Sequence, residues 1–208
     1  MTATGSCPRC GGELRAPGLM SSSWRCEVHG DVAPLRVAVR PSSEALGLLA
    51  EHAGVPVWSP LPLLAGWSLT GTASAGDERT KSRAAVTAFS GPSPLGGPAD
   101  LLLIAEEPGV GAGARLAGLD ALDPGLVAAG VPDAKIEAAG HPTALWRCDS
   151  AADRVAFVGE ALGVWLYAVL WPPAAELVLL EHVVLHDLRD PAHRGLDLPL
   201  GAPSPHLR

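Results

Sequence analysis

CPRCGG, residues 7–12, and CEVH, residues 26–29, together spell C-x2-C-x15-C-x2-H near the start of the chain. Two chelating pairs at this separation match structural zinc sites, in which each pair sits on a tight turn and the loop gathers both turns around a tetrahedral ion. Gly11 and Gly12 follow the first pair and Gly30 the second. Such turns need residues that tolerate unusual backbone angles and let amides approach the sulfurs. A redox C-x2-C motif instead opens a helix behind a buried strand, and Gly-Gly directly after Cys10 starts a helix poorly. The pattern therefore predicts Zn2+ held by Cys7, Cys10, Cys26 and His29. With all four positions filled by protein the ion is structural rather than catalytic. It also supplies the folding energy of a segment too short for a core of its own. Cys148, in ALWRC, stands apart as a reduced core thiol.

Outward from this clasp, 208 residues at 48% hydrophobic content are enough for one ordinary domain and a small appendage. The longest apolar run, ALGVWLYAVLW at 161–171, stops at Pro172, short of the roughly 20 residues a membrane helix needs. No membrane association is expected. The opening MTATGSCPRC lacks the basic and apolar regions of a secretory signal, so the expected setting is cytoplasmic and thiol-reducing, which disfavours disulfides. The net charge of −7 argues against a body-wide nucleic-acid surface. Residues 1–40 carry Arg9, Arg15, Arg25, Arg36 and Arg40 against Glu13, Glu27 and Asp31, a balance of +2 that leaves −9 elsewhere. Five arginines make a thin patch, so a protein is a more expected macromolecular partner than a nucleic acid.

The expected fold class is α+β: a zinc ribbon over 1–36, a body over 37–189 built mainly on antiparallel sheet with a few helices, and a Pro-rich, extended, partly mobile tail over 190–208. RPSSEALGLLAEHAGVP reads as a helix, capped at Ser42 or Ser43, with Leu46, Leu49, Ala50 and Ala53 at helical spacing, ended by Gly54 and Pro56. WSLTGTASA and SRAAVTAFS pair as a hairpin across GDERTK. DLLLIAE, AKIEAA and TALWRC read as further strands, and DPGLVAAG as a short helix capped by Asp123. VWLYAVLW is apolar on both faces and so reads as a central strand covered on each side. Its Trp165, Tyr167 and Trp171 face is expected to pack in the core. AAELVLLEHVVLHDLRD stays ambiguous: a helix sets His182 and His186 one turn apart, a strand sets them about 13 Å apart, and the Leu/Val enrichment favours strand. HVVLH lacks the general-base Glu of H-E-x-x-H zinc hydrolases.

CPRCGGELRAPG (7–18), SWRCEVHG (23–30), GWSLTGTASAGDE (66–78), SGPSPLGGPADLLLIAEEPGVGAGARLAG (90–118) and GEALGVWLYAVLWP (159–172) together resemble an uncharacterised bacterial family of actinobacterial type with an N-terminal zinc ribbon. The resemblance spans nearly the whole chain and implies the same ribbon-plus-body layout. That family has no assigned activity, so the resemblance carries over no catalytic residue.

Other motifs are weaker. Gly109–Ala114 spells G-x-G-x-x-A, yet Pro108 separates it from its strand and no acidic residue waits about 20 positions on at a second strand, as ribose binding requires. No G-x-S-x-G elbow occurs. Glu106 and Glu107 end a strand beside the glycine loop, with Arg115 beyond it, where a general acid or base and an anion contact could sit; His141, before Pro142, is a further candidate, although a turn histidine without a role is the plainer reading. The primary expectation is a non-enzymatic binding or regulatory protein with a structural zinc. The alternative is a small-molecule site or enzyme around Glu106, Glu107, Arg115 and His141, told apart by whether these groups converge beside Trp165, Tyr167 or Trp171.

Overall fold

A computed structural model of the chain describes residues 5–19, 21–77, 80–125, 130–181, 183–193 and 196–207. The N-terminal segment carries a two-stranded hairpin, β1 (Arg25–Cys26) and β2 (Gly30–Asp31). Then follow β3 (Leu35–Val37), α1 (Ser43–His52), β4 (Trp58–Pro60), β5 (Ser68–Ala75), β6 (Ala84–Pro92), β7 (Pro98–Glu106) and α2 (Ala112–Ala117). β8 (Ala134–Ala138), β9 (His141–Arg147), β10 (Val155–Ala161) and β11 (Val164–Trp171) come next. A 3-10 helix (Pro173–Leu180), β12 (Val184–Asp187) and a 3-10 turn (Pro191–His193) complete the order. The chain is thus α+β, dominated by one large antiparallel-rich sheet.

The ten strands run in the order β3-β5-β6-β7-β11-β10-β9-β8-β12-β4, and only the β12–β8 pair is parallel. The sheet curls until its far edge returns over its first half: Thr87 Oγ1 on β6 donates to the Trp58 carbonyl on β4 at 2.6 Å. That curl encloses Leu101 and Leu103 of β7 and Leu166, Ala168 and Leu170 of β11. Leu46 and Leu49 of α1 and Val178 of the 3-10 helix close the same core. Leu102, Ile104, Tyr167, Val169 and Trp171 point the other way into a second apolar layer, roofed by Leu116 of α2 and by Leu207. The two-faced reading of VWLYAVLW holds: β11 lies between β7 and β10, and each large side chain buried on either face contributes roughly 1.5–3 kcal/mol.

The predicted first helix and hairpin form where the sequence places them. Ser42 caps α1 by accepting from the Ala45 amide at 3.0 Å, and β5 pairs β6 from Ala75↔Ala84 outward. Residues 78–79 of the GDERTK connection and 126–129 of DPGLVAAG lie outside the described residues. The ambiguous AAELVLLEHVVLHDLRD is divided. Its first half winds as the 3-10 helix with Ala175, Val178 and Leu179 buried, and its second half becomes β12 between β8 and β4. His186 falls on β12 opposite Ser59; His182 lies outside the described residues.

Residues 199–207 of the C-terminal stretch pack against the sheet. β3 and Ala38 after it cover β5 only from Thr72 to Ala75, which leaves the rest of that edge needing hydrogen-bond partners. The tail supplies them: Leu69 N donates to Pro199 O at 2.8 Å, Gly201 N to Leu69 O at 2.9 Å, and Ser204 N to Thr70 O at 2.8 Å. His206 then stacks on Trp171 with ring centres 4.0 Å apart. Leu207 is 5% exposed, so Leu207→Ala is expected to destabilise the fold by about 2–4 kcal/mol in urea titration; a change below about 0.5 kcal/mol would show that the tail is only loosely held.

Candidate functional site

The N-terminal segment is pinned to the sheet through Ser6, whose N–H and C=O bond Leu35 at 2.9 and 2.8 Å. The chain then doubles back at once. Gly11 N donates to Cys7 O and Cys7 N to Gly12 O, both at 2.8 Å, with Gly11 at φ +75°, a left-handed angle that favours glycine. The second turn is the β1–β2 hairpin itself, which carries Cys26 and His29. In each turn the backbone aims at a sulfur: the amides of Arg9 and Cys10 at Cys7, and those of Val28 and His29 at Cys26. The sequence-predicted quartet is thereby brought together. Cys7 Sγ and Cys26 Sγ each lie 3.6 Å from His29 Nδ1, Cys10 Sγ lies 3.8 Å from Cys26 Sγ, and all four ligand atoms fall within 4.8 Å of one another.

This cluster can hold a metal ion. Burial pushes the Cys7 thiol up to about 11, whereas the Val28 and His29 amides draw the Cys26 thiol down to about 6. A cation taking the place of the Cys7 proton removes the cost of a buried thiolate.

The second group of predicted residues separates. Glu106 ends β7 opposite Trp165 of β11 and is fully buried. Its Oε2 accepts the Gly113 amide at 3.0 Å. Burial is the main cause that raises its carboxyl to about 7, opposed by the amides of Gly113 and Ala112 and reinforced by the charge of Asp123. Glu107 turns to the surface and pairs with Arg83 at 2.6 Å. Arg115 Nε donates to the Pro8 carbonyl at 2.9 Å. His141 is exposed at the start of β9, opposite Ala138. Of the four, Glu106 alone meets the aromatic face of β11.

There it finds a feature that the sequence reading did not single out. Trp165 Nε1 is buried without a hydrogen-bond partner among the described residues, and Glu106 Oε1 and Tyr167 Oη are buried facing each other, close enough to interact but without a well-formed hydrogen bond. The phenol is close enough for the Glu106 charge to raise its pKa further, beyond the effect of burial. Alternation could have flagged the carboxylate, because Glu106 shares parity with Leu102 and Ile104 on the buried outer face of β7. α2 lies over two of the three, with the Gly113 amide on Glu106 and its backbone against the Tyr167 ring. A Cβ at Gly113 would sit 2.4 Å from the Tyr167 ring, so the small residues of PGVGAGA serve close packing of helix on sheet. Dinucleotide loops present N–H groups to phosphate, whereas here the Gly109 carbonyl accepts from Arg9 Nη2 at 2.7 Å and the Gly109 amide is taken by Asp123 Oδ1 at 3.0 Å.

Fold and cluster define an α+β protein with a Cys3His cluster, able to hold a metal ion, next to its main sheet. Residues 1–207 match the model of the Family of unknown function (DUF6758), and the chain belongs to that family. No curated protein and no solved structure matches it. No helix among the described residues is long and apolar enough to cross a membrane.

Glu106 makes stability depend on pH. The folded chain keeps its proton up to about 7 and a solvated carboxyl of the unfolded chain only to 4.5, so between these values the folded state binds more protons. Stability is therefore highest at the acid end of that window and falls as pH rises through 7. Glu106→Gln removes this contribution. Relative to the parent chain, the variant is expected to gain about 1–3 kcal/mol between pH 5 and pH 8 in denaturant titrations; parallel pH profiles would refute the assignment.

Proposed function

We propose that Cys7, Cys10, Cys26 and His29 hold a structural Zn2+ in a zinc ribbon over residues 1–36, attached to an α+β body over 37–189. The protein is a non-enzymatic binding or regulatory protein of the bacterial cytoplasm, and its macromolecular partner is a protein rather than a nucleic acid. The observation that carries the zinc reading is the size of the cluster. Zinc–sulfur bonds of about 2.3 Å and zinc–nitrogen bonds of about 2.0 Å at tetrahedral angles imply S–S edges of about 3.8 Å and S–N edges of about 3.5 Å. Three of the six separations, Cys10–Cys26 at 3.8 Å and Cys7–His29 and Cys26–His29 at 3.6 Å, have these lengths, and all six lie within 4.8 Å. Three thiolates and an imidazole fill four positions, which favours a structural over a catalytic ion.

The preference for a protein partner rests on where the N-terminal arginines go. Arg9 bonds the Gly109 carbonyl, Arg25 pairs with Asp31 at 3.1 Å, and Arg36 bonds Gly76 O at 2.9 Å and lies over Trp24. Arg15 lies 4.0 Å from Glu27. Arg15 and Arg25 face carboxylates, and Arg9 and Arg36 are turned onto backbone carbonyls of the chain itself, so few of these cations stand ready to replace counterions on a phosphate backbone. A second reading, a small-molecule site at Glu106, is favoured by the three buried polar atoms of Glu106, Trp165 and Tyr167 that lack a well-formed hydrogen bond among the described residues, since such groups usually make one with protein, water or ligand.

Native mass spectrometry is expected to find one zinc per chain, lost on chelation and weakened by Cys10→Ser or His29→Ala; a chain purified without stoichiometric zinc refutes the centre. Retention on immobilised DNA or RNA is expected to be negligible at physiological salt. Salt-sensitive retention abolished by Arg9→Ala, Arg15→Ala and Arg25→Ala together would instead establish a nucleic-acid partner.

A further inference from the structure

Pro8 and Arg9 stand between two of the metal ligands, and both are bonded to the glycine loop and helix that cover Glu106. Arg9 sends Nη2 to Gly109 O at 2.7 Å and Nε to Val110 O at 3.4 Å, and Arg115 of α2 sends Nε back to Pro8 O at 2.9 Å. The contacts are reciprocal and join positions a hundred residues apart. They are also close: Gly111 takes φ +87°, and a Cβ there would lie 2.9 Å from Arg9 Cγ and 2.4 Å from Leu122 Cδ1. A cavity of about 180 Å³ lies along the same seam, lined by Arg9, His29, Arg115 and Leu122.

α2 has six residues, far fewer than the 12–15 or so at which an isolated helix becomes even marginal. Its position therefore depends on what it is docked to. On one side the Gly113 amide bonds Glu106 and the backbone rests on Tyr167. On the other, Arg9 holds the loop that leads into it and the Pro8 carbonyl accepts from Arg115 within it. The turn that carries them, Cys7–Gly12, closes on two backbone hydrogen bonds at 2.8 Å and is anchored at its base by Ser6, which bridges Leu35 and Glu13; a metal on Cys7 and Cys10 would add a further constraint on its shape.

We propose that the metal centre is the latch of the Glu106 site: with metal bound, the Pro8–Arg9 turn holds α2 down over Glu106 and Tyr167, and metal loss frees α2 to lift. Solvent and small solutes then reach a carboxylate and a phenol that are otherwise sealed. This deepens the second functional reading, as the regulation of that same site, and rests on the four residues binding metal. The cluster–helix contact thereby becomes a coupling between metal occupancy and access, reciprocal by thermodynamic linkage.

Amide hydrogen exchange on the full chain tests it, comparing zinc-loaded protein, chelated protein and the zinc-loaded variants Arg9→Ala and Gly111→Ala. The first variant removes the clamp from the metal side. The second disturbs it from the loop side with the ligand turn unaltered. Chelation is expected to accelerate exchange over residues 109–119 at least tenfold while β6 and β10 keep their protection. Both variants should reproduce that local acceleration with one zinc still bound. If the chain binds zinc and 109–119 stays protected in both variants, or if chelation speeds exchange equally throughout the sheet, the latch is overturned and the metal centre stands. If no metal binds, the metal-centre reading and the latch fall together.

Discussion

The structure depends on the central strands β7 and β11 being apolar on both faces. Neither face can be left to water, so each must be covered, and the two faces are covered by different means. On the inner face the sheet curls until β4 crosses β6, with α1 and the 3-10 helix closing the core. On the outer face cover comes from small, separate pieces, chiefly α2 and the C-terminal residues around Leu207. Neither piece could persist alone. The outer face is therefore the side of the molecule on which a local change of constraint can expose buried groups without dissolving the fold.

Glu106 sits at the margin of that outer layer. A carboxyl buried among apolar strands is costly unless bonded, and its raised pKa is the direct expression of that cost. The amides of Gly113 and Ala112 offset part of it, which ties the carboxylate to the helix above. Glu107, one residue on, faces solvent and simply pairs with Arg83. Adjacent residues of one strand thus have opposite roles, and a single step of strand parity decides which.

The glycine loop gains a physical reason from the same arrangement. Its spacing resembles a phosphate loop, yet its carbonyls and amides are taken by Arg9 and Asp123. Gly111 and Gly113 allow two close approaches, of Arg9 in the Cys7–Gly12 turn on one side and of Tyr167 on the other. Backbone that must touch neighbours on both sides excludes Cβ atoms, whatever those neighbours are.

The chain by itself determined the features fixed by local spacing. The C-x2-C and C-x2-H pairs name the cluster because chelating turns are short. Ser42 and the periodicity behind it specify α1, and the two-faced VWLYAVLW specifies a central strand, since alternation is a property of neighbouring residues. Tertiary structure decided what depends on partners far along the chain. Only the gap between β8 and β4 makes a strand of Val184–Asp187 while the equally apolar residues before it wind as 3-10 helix. Only the bare edge of β5 gives a Pro-rich tail something to bond. The union of Glu106 with Trp165 and Tyr167, and of Arg9 with Gly109, likewise joins residues some 60 to 100 positions apart. Such contacts arise from sheet register and loop docking, which no pattern within a short window encodes.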